Sequence, residues 1–252
     1  MKLPSPLVSG RLVRRYKRFL ADVRLADGQE VTAHCANPGS MLGLLEDGAE
    51  VWLFKNADPR RKLRWSWELV RSEGALVPVN TSNPNRIVAE AIAEERIPEL
   101  RGYTQVRPEV RYGEGSRVDF LLTAPERTPC YLEVKNVHLR RQGRAEFPDC
   151  VTARGTRHLR ELSGMRAAGA RSVILFLVQR DDCNAFAPAA DLDPVYAREL
   201  LLARDGGVEI LCYDCSVNLE RVSLRRPLPV ELSIRYTFKD LEQIHAAKGV
   251  TS

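Results

Sequence analysis

Val118-Asp119-Phe120-Leu121-Leu122, followed across a turn by Cys130-Tyr131-Leu132-Glu133-Val134-Lys135, is the stretch on which the fold turns. Both runs are short and mostly apolar, as strands in a sheet interior are. Pro125 and Pro129 lie between them, so the two are expected to be adjacent antiparallel strands. Side chains repeat every two residues along a strand, which puts Tyr131, Glu133 and Lys135 on one face. Asp119 would then meet Glu133 and Lys135 on one side of the sheet. Two clustered carboxylates repel, and a hard divalent cation such as Mg²⁺ offsets that repulsion by accepting their oxygens. Such an ion could activate water against a phosphodiester, with Lys135 orienting the water or neutralising developing charge. An ordinary Asp–Lys–Glu ion-pair cluster accounts for the spacing about as well.

Around this hairpin the elements read as αβββαβαβ, an α/β domain with a mixed sheet. Asn83 caps and Pro84 opens a helix along which Ile87, Val88, Ala91 and Ile92 recur at helical spacing. A strand near Val106–Tyr112 precedes the hairpin. Behind it come a helix over Val151–Ala168, with Asp149 as its cap, and a strand over Ser172–Gln179 whose apolar run suits burial on both faces. Asp193-Pro194 opens another helix, Gly206-Gly207 ends it, and Val208–Tyr213 is a last strand. Gly155 inside a helix costs about 1 kcal/mol against Ala, which points to a close approach by another element or by DNA backbone.

The first third has a different texture. Phe19 to Leu25 alternates, Asp27-Gly28 is a hairpin turn, and Val31–Cys35 returns as its partner. Glu50–Lys55, Trp65–Arg71 and Val77–Asn80 add strands. About five short strands in some 70 residues suit a small closed barrel of the OB type, and a small sandwich nearly as well. The expected division is a barrel over 1–81, an α/β domain over 82–240 and a loose tail over 241–252. The Asn37-Pro38-Gly39-Ser40 loop could offer backbone donors to phosphate, although a tight turn explains it more simply.

Net charge is +5, and its placement says more than its size. Arg11, Arg14, Arg15, Lys17 and Arg18 crowd one segment beside Tyr16 and Phe19; Arg60, Arg61, Lys62 and Arg64 crowd another beside Trp65 and Trp67. Cations neutralise phosphates and aromatic faces stack on bases, so nucleic acid is a natural partner. No run is long and apolar enough for a membrane helix, and the N-terminus lacks a signal-peptide core, which leads us to expect a cytoplasmic protein. Six cysteines among mostly apolar neighbours fit reduced thiols. Cys212 and Cys215 would face opposite sides of a strand, which argues against a zinc site. The oligomeric state stays open, a homodimer included.

Arg117-Val118-Asp119-Phe120 with Tyr131-Leu132-Glu133-Val134-Lys135 resembles the core motif of the PD-(D/E)xK nuclease-like superfamily. More narrowly, nearly the whole chain resembles the sugar fermentation stimulation protein family. Arg15 to Val23, Ala33 to Met41, Cys130 to Lys135, Phe147 to Gly155, His158 to Leu162 and Gly207 to Leu211 carry that likeness in order. The resemblance implies an N-terminal OB-fold β-barrel, a nuclease-like α/β domain and largely non-specific DNA binding, for which the basic cluster offers Arg14, Arg15, Lys17 and Arg18. It places Asp119, Glu133 and Lys135 in the catalytic motif, the Val134 carbonyl among the ligands of Mg²⁺ (or Mn²⁺), and Glu90 as an additional acid, with Glu94 as its competitor. Arg154 and His158, four apart on one helix face, would meet phosphate. Ala153 stands where the family pattern usually has an acid, and Asn136-Val137-His138-Leu139 replaces a serine-containing segment. His138 reads as a surface or core histidine. Two functions compete: a Mg²⁺-dependent phosphodiesterase acting on DNA, and a non-catalytic DNA-binding regulator of sugar-catabolic genes on a nuclease-derived scaffold. A sugar- or nucleotide-handling enzyme is a remoter third, as no phosphate-binding glycine loop is present.

Overall fold

A computed structural model describes residues 1–113 and 115–232. The expected tail over 241–252 and the 240/241 boundary lie outside the described residues. The first six strands are β1 (Leu7–Tyr16), β2 (Leu20–Leu25), β3 (Glu30–His34), β4 (Glu50–Lys55), β5 (Trp65–Ser72) and β6 (Ala75–Pro78). They run in the order β3-β2-β1-β4-β5-β6, and a parallel pairing of β3 with β5 closes the ring at Ala33↔Trp65 and His34↔Ser66. That closure removes the sandwich alternative and leaves an OB-type barrel. Leu12, Val23, Val51, Leu53 and Trp67 fill its interior. β1 was not legible as a strand because it bends to pair with both β2 and β4 and carries a register shift between Leu12 and Arg14. Gly10 sits at the tight crossing: a Cβ there would come within 2.6 Å of Val23 Cγ1.

The second unit follows as α1 (Asn83–Ala93), β7 (Gln105–Tyr112), β8 (Ser116–Ala124), β9 (Arg127–Val137), β10 (Leu139–Arg141), β11 (Arg144–Phe147), α2 (Ala153–Ala167), β12 (Arg171–Val178), β13 (Ala185–Pro188), α3 (Pro194–Asp205), β14 (Glu209–Val217) and β15 (Val222–Pro227). Its main sheet has the order β15-β14-β12-β9-β8-β7, with β7, β8 and β9 antiparallel and β9, β12 and β14 parallel. This is the expected mixed sheet. β10, β11 and β13 form a separate small sheet, and β15 is an edge strand of the main one; their three- to six-residue runs carry too little periodicity to read.

The sheet separates two cores. Ile87, Val88 and Ala91 of α1 pack on one face with Leu132 and Val134, and Trp52 and Leu69 of the barrel join that core. Leu159 and Leu162 of α2 and Tyr196 and Leu200 of α3 pack on the other with Tyr131 and Val137. Glu133 and Lys135, alternating with Leu132 and Val134, therefore face α2. Cys212 and Cys215 fall in opposite cores as free thiols.

Two helix caps differ from expectation. Asn83 is the first residue of α1; Ser82 stands at the cap and makes no side-chain capping bond. α2 is capped by Thr152, whose Oγ1 accepts from the Gly155 N–H at 3.1 Å. Asp149 is spent elsewhere: the Ser40 hydroxyl and the Met41 N–H donate to its Oδ2 at 2.9 and 2.8 Å. It joins the barrel to the approach of α2. The Asn37–Ser40 loop is thus filled by protein groups, its Gly39 N–H donating to Asn37 Oδ1 at 2.9 Å.

Candidate active site

The β8–β9 ladder is paired at Phe120↔Leu132 and beyond, but it opens at Asp119. There the side chain replaces the missing strand partner, and the Val134 N–H donates to Asp119 Oδ2 at 2.7 Å. Asn85, from the first turns of α1, donates to the other oxygen at 2.7 Å. These two bonds fix the carboxylate at the splayed end of the hairpin. Burial and the nearby Glu133 charge push the Asp119 carboxyl up to about 6, against the lowering effect of its donors and Lys135.

Glu133 is 3% exposed. Burial raises its carboxyl, yet the bond to His158 and the charge of Lys135 outweigh that and hold it below the ordinary range. Lys135 Nζ donates to Glu133 Oε1 at 2.7 Å, and His158 Nδ1 contacts the same oxygen. The other oxygen, Oε2, is buried without a hydrogen-bond partner. A buried carboxylate oxygen left bare is costly, and a cation is one way to satisfy it.

The predicted site residues therefore divide. Asp119, Glu133 and Lys135 come together as expected, the last two in direct contact. His158 does not face phosphate: it is 3% exposed and belongs to the carboxylate cluster. Arg154 is exposed and donates from Nε to His158 Nε2 at 3.3 Å, so it rims the cluster. Glu90 lies elsewhere, in ion pairs with the Met1 amine and Arg221, and Glu94 also pairs with Arg221. The reason is angular: five residues along a helix turn Glu90 well away from Asn85, the α1 residue that reaches Asp119. Asn85 was missed, although its place in the first turns of a helix beside an acid-bearing strand was a usable signal.

The basic cluster divides too. Arg15 is structural, donating to the Asn37 and Gly39 carbonyls at 2.8 and 2.9 Å. Arg14 pairs with Asp22 and lies over the Tyr16 ring. Lys17 and Arg18 are exposed at the β1–β2 turn with φ of 48° and 62°, beside exposed Phe19.

The donor set is oxygen-rich and suits a hard divalent ion: Asp119, the bare Glu133 Oε2 and main-chain oxygen at Val134. Among the described residues no group of three or more His, Cys, Asp or Glu side chains is arranged to hold a metal, so main-chain oxygen or water would have to complete the shell. No described helix is long and apolar enough to cross a membrane.

Residues 82–221 match the family described as the sugar fermentation stimulation protein RE domain, and residues 13–79 match the SfsA N-terminal OB domain. A sugar fermentation stimulation protein homolog of Paramagnetospirillum magneticum is 55% identical over 235 residues, 93% of this chain and 100% of that protein. One from Rhodospirillum centenum is 56% identical over 229 residues, 90% of this chain and 98% of that protein. The solved structure of Pyrococcus furiosus SfsA in complex with Ca²⁺ is similar at a TM-score of 0.82 and 29% identity, covering 92% of this chain and 98% of that one.

Proposed function

Because this chain belongs to the sugar fermentation stimulation protein family, we propose that it is a DNA-binding protein whose second domain hydrolyses phosphodiesters with Mg²⁺ or Mn²⁺. The observation that carries the reading is the site itself. Two carboxylates meet a lysine where the β8–β9 ladder opens, and one carboxylate oxygen is buried bare. The Ca²⁺ complex of the Pyrococcus relative supports an oxygen-ligated divalent ion in this family. Asp119 and Glu133 would hold the ion, with the Val134 carbonyl as a further oxygen. When bound, such an ion polarises a phosphodiester and makes a bound water more acidic.

The chain's own groups have distinct tasks. Asn85 and the Val134 N–H hold the Asp119 carboxylate in one orientation. Lys135 carries a compact positive charge beside Glu133, placed to orient water or to neutralise charge on the phosphorus oxygens. His158 braces Glu133 from α2, and exposed Arg154 is available to a backbone phosphate. Lys17, Arg18 and Phe19 at the barrel turn add a DNA contact of the electrostatic and stacking kind.

A second reading draws on a different observation. Glu133 Oε1 is already engaged by both Lys135 and His158, a self-satisfied arrangement that a non-catalytic regulator could retain. The deciding experiment incubates the purified protein with single-stranded, duplex and branched DNA in Mg²⁺ or Mn²⁺. Cleavage that Lys135→Ala abolishes, with DNA affinity kept within about threefold, supports the enzyme. Lys135→Arg should also be poor, because a planar fork does not replace a compact ammonium. Binding without cutting in either metal would leave the regulator.

A further inference from the structure

A cavity of about 600 Å³ lies between the barrel and the start of α1, and none of Asn85, Asp119, Glu133, Lys135 and His158 lines it. Its size is that of a small-molecule site. The N-terminal end of α1 opens into it. That end has no acidic residue in its first turn and no side-chain cap, so the positive end of the helix dipole is uncompensated. Asn83, in the same turn, is 3% exposed, lines the cavity, and its Nδ2 has no hydrogen-bond partner. A buried amide donor left bare is costly and points to an absent acceptor.

Three cations line the same cavity: Lys2 from the first residues, Arg61 from the β4–β5 loop and Arg86 from α1. None of them closes an ion pair among the described residues. Helix end, bare amide and unpaired cations converge on one kind of ligand, a phosphate or similar oxyanion. One acidic group stands among these cations, close enough to Arg86 to feel its charge. Glu68, 5% exposed, contributes a buried carboxylate beside Asn80. A carboxylate next to an anion is unfavourable unless a hydroxyl donor stands between them. A lining that mixes cations, a bare amide donor and a buried carboxylate suits a molecule carrying both an oxyanion and hydroxyl groups.

We propose that this cavity is a binding site for a small phosphate monoester of a polyhydroxyl compound, its phosphate on the α1 N-terminus with Asn83, Arg61 and Arg86, and its hydroxyls on Glu68. A sugar phosphate and a mononucleotide share this chemistry. The cavity shares no lining residue with the carboxylate cluster, so it stands whether or not the protein cuts DNA.

The test uses the full chain with EDTA, which keeps divalent ions out of the comparison. Thermal stability and calorimetric binding are measured with glucose 6-phosphate, adenosine 5′-monophosphate, inorganic phosphate and free glucose. Either organic phosphate should bind and raise the melting temperature, with inorganic phosphate weaker and glucose inert. The stronger of the two organic phosphates identifies the source. Arg61→Gln with Arg86→Gln, both exposed positions and neither adding a charge beside Glu68, should weaken organic phosphate binding by about tenfold. Glu68→Gln should weaken the organic phosphates while leaving inorganic phosphate unchanged. The proposal is overturned if none of the phosphates stabilises the protein at about 10 mM, since binding must raise stability by mass action. Affinity unchanged in the double arginine variant overturns it equally.

Discussion

Among single residues, burial decides what a titratable group does. His138 shows this outside the candidate active site. It is 8% exposed, its Nε2 lies 3.1 Å from Asn136 Nδ2, and the Arg180 guanidinium donates to its carbonyl. Burial pushes its imidazole down to about 4 from the usual 6.5, with the Arg180 charge adding to the effect and Asp149 opposing it. The unfolded chain therefore takes up this proton before the folded one does. The histidine's contribution is intact above pH 6.5 and is lost progressively as pH falls toward about 4. The loss amounts to about 3 kcal/mol once both states are protonated. Denaturation midpoints between pH 7 and 4 should fall steeply for the parent and less steeply for His138→Gln. Parallel pH profiles would show that His138 is not the group responsible. The sequence reads His138 as a surface or core histidine and His158 as a phosphate contact; His138 is a core residue, whereas His158 is buried in the carboxylate cluster, a role set by Glu133 on another element.

Among the elements, α2 offers a sharp test. Gly155 is the third residue of α2, a helical position where alanine in place of glycine gains up to about 1 kcal/mol by propensity alone. A Cβ at Gly155 would instead sit 2.9 Å from Thr152 Cγ2 and 3.1 Å from Tyr196 Cε2. Tyr196 is fully buried and Thr152 is the helix cap, so neither yields readily. Gly155→Ala should destabilise by about 1–3 kcal/mol in urea titration, and any gain would contradict the close packing. The β1–β2 turn gives a second test. Replacing Lys17 and Arg18 by Ala should reduce the salt slope of DNA binding by up to about 0.9 for each phosphate no longer neutralised, at unchanged melting temperature. Arg15→Ala should do the reverse, lowering the melting temperature by releasing the Asn37–Ser40 loop. A slope unchanged in the turn variant would remove that turn from the DNA surface. These elements also mark what a sequence discloses. The hairpin bearing Asp119 and Glu133, α3 with its Asp193 cap and the apolar run of β12 were legible because periodicity and turn chemistry are local. The roles of Asn85, Arg15 and Asp149 were not, because each is set by a partner 15 or more residues distant: Asp119, the Asn37–Ser40 carbonyls, and Ser40 with Met41.

Across the molecule, the barrel and the α/β domain are joined by unlike contacts. Trp52 and Leu69 share the α1 core, Glu73 pairs with Arg140 at 2.5 Å, and Asp149 receives Ser40 and Met41. Asp149→Ala should leave each domain's secondary structure in place, as circular dichroism would record, while proteolysis at the Asn37–Ser40 loop becomes faster. Equal digestion rates would mean the apolar contacts hold the two units without it. The Met41 amide has a further use. Its hydrogen bond runs to Asp149 in the other domain rather than to a barrel strand, so that hydrogen is shielded only while the two units stay together. In deuterated solvent it becomes a clock for the seam. Exchange faster at Met41 than at Val51 would time partings in which the barrel remains whole, and the ratio of the two rates would measure how often the molecule gapes without unfolding.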